Sequence, residues 1–399
     1  MGAVEGRRAM ILVENLSVPL DRRVWQESVS LRRAGYEVVV VCPQGRDRDR
    51  ERFARIDGID IHRFPLDPSR GGAVGFAREY AQALWRTARL VRRLGRQGRF
   101  DVVHACNPPD LLLLAALPLK RRGTGFVFDH HDLAPELYLS RFGGRQDLLY
   151  RVLLLLERLS FRLADVVIAT NESYRRVALT RGRKDPGDVF VVRNGPDMDR
   201  FRPQSGAPRA GGRSYRIAYV GMMGPQDGVD QALQALAILR GIRQDWSALF
   251  VGDGEILGEM QTLADDLGLS QSVTFAGLIE QGEVVEAIGR ADVCIAPEPS
   301  SPSNDVSTMI KLGEYMAMGK PIAAYDLPET RFTADDAAVY APSGDIEGLA
   351  RCLNRLLDDG DLRARMGTAG RQRAENILAW EHSEPQLLAA YERAMTKAR

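Results

Sequence analysis

Between Asn304 and Glu314 the chain reads NDVSTMIKLGE, a run holding an amide, two carboxylates, two hydroxyls and a lysine. Ser307 and Thr308 are good helix-capping types, so a helix is expected over 308–318, stopped by Gly-Lys-Pro. The first turn of such a helix has N–H groups without intrahelical acceptors and carries the positive end of the helix dipole, which suits it to an anion such as phosphate. Lys311, one turn in, adds a positive charge toward the same oxygens. Glu314 lies on the following turn. A lone helical acid is ordinarily solvated, but Glu314 stands between Leu312 and Tyr315 and before MAMGKP, a setting that favours a buried, paired role. Asn304 and Asp305 read equally as an Asx turn opening the helix or as groups that bind hydroxyls.

The elements that must hold these residues are short β-branched runs alternating with helical patterns, hence βα units and parallel sheet. The first half supplies AMILVE (9–14), EVVVVC (37–42), IDIHRF (59–64), DVVHAC (101–106), GFVFDH (125–130), DVVIAT (165–170) and DVFVVR (188–193). The second supplies YRIAYVG (215–221), SALFVG (247–252), SVTFAG (272–277), DVCIAP (292–297), PIAAYD (321–326) and AAVYA (337–341). Between them RPQSGAPRAGGRS, residues 202–214, is a linker by composition. The expected organisation is a first domain over 1–201, a second over 215–378 and a C-terminal helix over 379–399. Open parallel sheets bind ligands beyond the carboxyl ends of their strands. In the second domain those positions carry GMMGPQDG, with Gly221, Gly224 and Gln226, then GDGE, with Gly252 and Asp253, then the Asn304 loop. Glycines there allow close backbone approach, so a nucleotide or sugar-phosphate pocket is expected.

Composition narrows the class. The chain has 399 residues, 45% hydrophobic and 27% charged, as in a globular protein of two or three domains. Lys+Arg 54 against Asp+Glu 53 gives no net field to attract nucleic acid. Cys42, Cys106, Cys294 and Cys352 are far apart, with no Cys-x-x-Cys, which fits a reducing cytoplasm and gives no structural zinc site. Neither a signal-peptide core nor an apolar run of membrane-spanning length is legible.

The order YVG, GVD, FVGDGE, VTFAG, ADVCIAP and STMIKLGEYMAMGKPIAAYD resembles the donor-binding domain of retaining family 4 glycosyltransferases. PLDRRVWQESVSLRRAGYEVVVVCPQG, HDLAPELY, ATNESYRRVAL and VVRNGPD resemble the acceptor domain of one bacterial branch. The resemblance implies the α/β GT-B architecture, two Rossmann-like parallel-sheet domains facing across a cleft, with the last helix returning to the first domain. It implies transfer of a hexosyl group from a nucleoside-diphosphate sugar, a UDP-sugar being the expected donor, to a hydroxyl of a glycan, lipid-linked or natural-product acceptor. Neither a metal nor a further cofactor is implied. Glu314 would take the nucleotide ribose; Ser307, Thr308, Met309, Gly221, Gly224, Gln226, Gly252 and Asp253 would line the donor; His131, Lys311 and Asp305 would serve catalysis.

Two departures stand out. The family pattern places two glutamates eight apart, and eight before Glu314 stands Val306. Asn304 or Asp305 is the expected replacement at the sugar. Where many relatives carry Arg and Lys in the first glycine loop, this chain has Met222, Met223, Gln226 and Asp227, so phosphate binding is expected to lean on the N–H groups of Gly221 and Gly224, the helix start and Lys311. A cation from the first domain, such as Arg193, is a second source. A nucleotide-sugar epimerase and a non-catalytic glycosyltransferase-like subunit are the alternative functions.

On the acceptor side, Asn15, Asp21, Arg22, Arg23 and Asn107 follow strands and could face the cleft, although Asp21 equally reads as an N-cap with the arginines in solvent. His130 and His131 end a strand and point to opposite faces, His130 as a packing residue. Arg89, Arg93 and Arg96 share one helix face, and RFGGRQDLLYRVLLLLERLSFRLAD mixes leucines with arginines. Core helices with solvated basic faces are the plain reading; peripheral contact with the inner face of an anionic membrane is the sharper one.

Overall fold

The computed structural model describes residues 6–45, 48–66, 72–203 and 215–398, without the side chains of 72–74, 76 and 77; most of the expected linker, 204–214, lies outside the described residues. The chain forms two compact units. One comprises the residues up to 138 together with 145–193 and 383–399; the other comprises 139–144 and 194–382. Residues 194–201, read from the sequence with the first domain, therefore cluster with the second, as does the short segment 139–144.

The first unit is built on an eight-stranded sheet: β1 (Arg8–Leu12), β2 (Glu37–Pro43), β3 (Phe53–Ile56), β4 (Ile59–Phe64), β5 (Val102–Cys106), β6 (Gly125–His130), β7 (Val166–Ala169) and β8 (Val189–Val191), in the order β3-β4-β2-β1-β5-β6-β7-β8. Only the pairing of β3 with β4 is antiparallel. β1, β2, β5 and β6 are buried along almost their whole length, the reason they read as continuous apolar runs rather than alternating ones. Strand order reverses between β1 and β5, so the switch point lies where Glu14 and Asn107 follow those strands. The helix Arg22–Arg33 starts there, capped by the Asp21 carboxylate on the Val24 N–H. The C-terminal segment belongs to the same unit: Tyr391 is fully buried, and Arg393 and Lys397 hold the Asp188 carboxylate.

The second unit carries β9 (Tyr215–Val220), β10 (Trp246–Val251), β11 (Val273–Gly277), β12 (Val293–Ala296), β13 (Ile322–Tyr325) and β14 (Ala338–Ala341), all parallel in the order β11-β10-β9-β12-β13-β14. Its switch point falls between β9 and β12. The loops that follow those two strands are GMMGPQDG and the run from Pro297 to Met309.

The helix after β12 is shorter than expected, Ile310–Ala317, with Met309 at the N-cap and no side-chain cap bond. Thr308, expected to cap it, turns its hydroxyl toward the buried Glu329 carboxylate instead, 3.3 Å away. Tyr315 fixes the helix to the sheet by accepting the Val220 N–H at 2.8 Å.

Candidate functional site

In the second unit the two switch-point loops are fastened to each other. Asn304 is 4% exposed, and its amide nitrogen donates to the carbonyls of Gln226 and Pro299, both at 2.8 Å. Gly228 is left-handed (φ 66°), and a Cβ there would lie 2.1 Å from the Pro297 carbonyl, so only glycine permits this approach. Asn304 was expected either, as one of two candidates with Asp305, at the sugar or in an Asx turn; its amide nitrogen ties one loop to the other. Asp305 beside it accepts the Ser300 hydroxyl on Oδ2 and keeps Oδ1 buried without a partner among the described residues. It is the freer of the two.

Lys311 is 9% exposed, and its Nζ is ion-paired with Glu298, which is 2% exposed, while lying 4.0 Å over the Tyr219 ring. Burial alone would lower the Lys311 pKa; the Glu298 carboxylate and the Tyr219 oxygen raise it above its ordinary value, so the ammonium is permanently charged. Lys311, expected from the sequence to add a positive charge toward phosphate oxygens, enters the site as half of an ion pair. A Cβ on Gly221 would sit 2.7 Å from Nζ, which shows how near the amine comes to the end of β9.

The glycine-loop amides differ from expectation. The Gly221 N–H is spent on the Val251 carbonyl and the Gly224 N–H on the Asp227 carboxylate, so neither is left for a phosphate. Both are claimed because the loop folds back on the sheet and on its own acid. Burial raises the Asp227 pKa against the pull of Lys311. Gly252 and Asp253 also hold backbone in place: a Cβ on Gly252 (φ 135°) would lie 1.8 Å from the Gly221 carbonyl, and exposed Asp253 accepts the Gly254 N–H. Gln226 keeps Oε1 buried and without a partner among the described residues. Glu314 is 5% exposed on the same helix as Lys311, and Ser307, Thr308 and Met309 are half-buried at its start.

The first unit holds a second buried charge cluster. Arg23 is 7% exposed and grips Asp129 through Nε and Nη2, at 3.0 and 2.9 Å, with Nη1 donating to the Val192 carbonyl. Read from the sequence as an acceptor-side or solvated arginine, it is neither, because its three nitrogens are consumed beneath the strand ends. Burial pushes the Asp129 carboxyl up, but Arg23, then His131 and His104, hold it well below the usual carboxylate range. Neighbouring Glu27 is driven well above its ordinary value by burial and by Asp129, and burial likewise lowers His104 and raises the Cys106 thiol. Ligand atoms of Glu27, His104, Cys106 and Asp129 converge within 4.8 Å. A metal ion there would have to displace the guanidinium from Asp129 and deprotonate a thiol that burial keeps protonated, so these residues have the chemistry of an ion pair rather than of a metal centre.

Asn107 is 2% exposed and fully occupied. Its Oδ1 accepts the N–H groups of His131 (2.6 Å) and Asp132 (3.1 Å), and its Nδ2 donates to Asp110 (2.8 Å) and to the Asp132 carbonyl (2.7 Å). It fixes the backbone of His131 rather than facing an acceptor, and Asp21 is engaged as the helix cap. Asn15 and Arg22 remain exposed. His130 is fully buried among the rings of Phe128, Phe161 and Tyr174.

Sequence reasoning missed Glu298, Asp129, Arg141 and Glu14. Glu298 and Asp129 had a signal, a carboxylate at or just after a strand end. Arg141 had none: it belongs to the segment 139–144 of the second unit, where Ser140 exchanges hydrogen bonds with Ser303 and Arg141 lies 3.9 Å from Glu255. Glu14 figures in the sequence only as the last residue of the strand run AMILVE.

Residues 20–200 match the family model described as Glycosyltransferase Family 4, and residues 202–373 the model described as Glycosyl transferases group 1. An MMP alpha-(1->4)-mannosyltransferase of Mycolicibacterium hassiacum is 28% identical over 401 residues, 93% of each chain. Sucrose-phosphate synthase of Thermosynechococcus elongatus superposes with a TM-score of 0.80 at 17% identity, covering 98% of this chain and all of that one. HepE of Anabaena in complex with UDP gives 0.67 at 15% identity, covering 96% and 98%. The two structural likenesses carry the fold, that of two-domain GT-B glycosyltransferases.

Glu14, 5% exposed beyond β1, has its carboxyl raised from 4.5 to about 7 by burial and then by Glu79. A raised carboxyl favours the folded state while protonated, and that contribution is lost as pH climbs through the folded value. The unfolding free energy of the wild type minus that of Glu14→Gln should therefore fall between pH 4.5 and 7, by up to about 3 kcal/mol at ~1.4 kcal/mol per unit. Chemical denaturation across that range checks it; a flat difference would show a solvated carboxyl.

Proposed function

We propose that the chain, whose residues 20–200 and 202–373 match the two glycosyltransferase models, is a family 4-type glycosyltransferase that moves a hexosyl group, with retention and without a metal, from a nucleoside-diphosphate sugar to an acceptor hydroxyl. The donor is a UDP-sugar, and the acceptor a glycan, a lipid-linked sugar or a natural product. The observation that carries this reading is the start of the helix Ile310–Ala317 at the switch point of the second unit, with a buried permanent cation, Lys311, one residue in and a buried carboxylate, Glu314, one turn further. The first helical N–H groups and Lys311 suit a diphosphate; Glu314 suits the two ribose hydroxyls. The UDP held by HepE is in keeping with that donor class.

In this reading the departing diphosphate gathers negative charge as the glycosidic bond breaks. The helix start and Lys311 stabilise that charge from fixed positions, so little reorganisation is needed at the moment of reaction. The acceptor hydroxyl attacks from the face the diphosphate leaves, and its proton passes to a diphosphate oxygen, which gives retention with no enzyme-bound sugar. Asp305, through its unpartnered Oδ1, takes a hydroxyl of the transferred sugar in place of the glutamate that Val306 replaces.

A second feature bears on the acceptor. The helix Leu148–Leu163 buries Glu157, Ser160 and Phe161 while leaving Leu148 77%, Val152 38% and Leu155 63% exposed along one face, flanked by exposed Arg151 and Arg158. No helix among the described residues is long and apolar enough to cross a membrane. An apolar stripe bordered by arginines suits peripheral contact with an anionic bilayer on the cytoplasmic side, where a lipid-linked acceptor would be presented.

Incubation with a panel of UDP- and GDP-sugars should release UDP slowly by hydrolysis. Interconversion of the sugars would instead mark an epimerase, and binding without turnover a non-catalytic subunit. Lys311→Ala should lower turnover by roughly ten- to a thousandfold, and Asp305→Asn should raise the donor KM, with thermal melts confirming that both variants fold; wild-type kinetics in both would remove the assigned roles. In flotation, vesicles rich in anionic lipid should carry the protein at low salt and neutral vesicles should not, and Leu155→Glu should weaken the association; no flotation in any condition ends the membrane reading.

A further inference from the structure

The loop GMMGPQDG after β9 has one charged residue, and it is an acid, Asp227. The nearby cation, Lys311, is already matched by Glu298. A diphosphate at this switch point would add negative charge that these residues leave uncompensated, and charge drawn out of water needs a partner. The segment 139–144 of the second unit brings another cation. Arg141 ends the helix Ala134–Arg141, and the chain then turns back so that the Gly144 N–H donates to the Leu139 carbonyl at 2.8 Å. This turn is seated on both switch-point loops. The Ser140 hydroxyl donates to the Ser303 hydroxyl at 3.0 Å and accepts the Ser303 N–H at 3.1 Å, and Ser303 adjoins Asn304, whose amide holds the Gln226 carbonyl. Arg141 lies 3.9 Å from Glu255. Glu255 stands between Gly254 and Ile256, and both pack on Met223 of the glycine loop: the Ile256 N–H donates to the Met223 carbonyl at 3.2 Å, and a Cβ on Gly254 would lie 2.3 Å from that oxygen.

We infer that Arg141 is a donor-binding residue, the guanidinium that meets the phosphate oxygens of the nucleoside diphosphate from the edge of the glycine loop. The inference rests on the proposed donor and supplies the cation that the charge of that donor requires. The guanidinium is available for this role. Its contact with Glu255 is long, and 37% and 57% of the two side chains are open to solvent, an arrangement worth little to either partner. Arg141 makes no hydrogen bond to any described residue, unlike the buried and engaged Lys311. Both cations act on one acid of the loop: burial raises the Asp227 carboxyl, and Lys311 and then Arg141 draw it back down. A guanidinium presents parallel N–H groups that match two phosphate oxygens, so Arg141 would read phosphate geometry as well as charge. It would act on the diphosphate and leave the base and the ribose to other groups.

Equilibrium binding of UDP and of uridine, the weaker ligand followed by ligand-observed NMR, reads the role. Arg141→Ala should weaken UDP by about ten- to a hundredfold, as loss of a hydrogen bond to a charged group does, and leave uridine at its wild-type affinity. Its UDP affinity should also fall less steeply with added salt. Arg141→Lys, which keeps the charge without the two-pronged geometry, should lie between the two. Arg145→Ala, which removes another exposed arginine of the same stretch, should bind both ligands as the wild type does. Unchanged UDP binding in Arg141→Ala, equal weakening of UDP and uridine, or equal weakening of UDP by Arg145→Ala overturns the inference while the donor reading stands. A wild type that binds neither UDP nor GDP overturns the donor reading and the inference together.

Discussion

A cation withdrawn from water needs a carboxylate beside it, and both units obey that constraint at the carboxyl ends of their strands. In the second, Lys311 meets Glu298; in the first, Arg23 meets Asp129. Removing one partner of such a buried pair leaves a charge without compensation, typically costing about 3–5 kcal/mol. That cost makes each pair rigid. A rigid charge can stabilise a departing diphosphate without first having to be organised.

The backbone around Lys311 follows from the same need for closeness. For its amine to lie beside the end of β9, Gly221 must lack a side chain, and for β9 and β10 to end side by side, Gly252 must too. The loops after β9 and β12 are then fastened by Asn304 and by the contact of Gly228 with Pro297. The glycines that look from sequence like a phosphate-binding loop are spent on bringing chain against chain, and their N–H groups are already paired. In the proposed reading, anion binding falls to the helix start and to Lys311.

The architecture was legible because parallel strands covered on both faces appear as short unbroken apolar runs, and EVVVVC or DVVIAT admits no other reading once alternated with helices. The helix carrying Lys311 and Glu314 was legible for the same reason, through MAMGKP at its end. What could not be read was partnership across sequence distance. Arg23 lies 106 residues from Asp129, and no local pattern distinguishes it from exposed Arg22. Thr308 looked like a cap until Glu329 gave its hydroxyl another acceptor, and Asn304 could not be known to bridge to Gln226. Glu298 stood one residue past a strand run that ended in proline, and its importance depends on a lysine on a separate element.

The central claim is that one helix start receives the donor, diphosphate at its first turn and ribose at Glu314. A crystal structure of the protein with UDP measures this directly. The account predicts ribose hydroxyls within hydrogen-bond reach of the Glu314 carboxylate, and diphosphate oxygens against the N–H groups at Ile310 and the Lys311 amine. UDP bound elsewhere, or bound here with Glu314 turned away from the ribose, would contradict it.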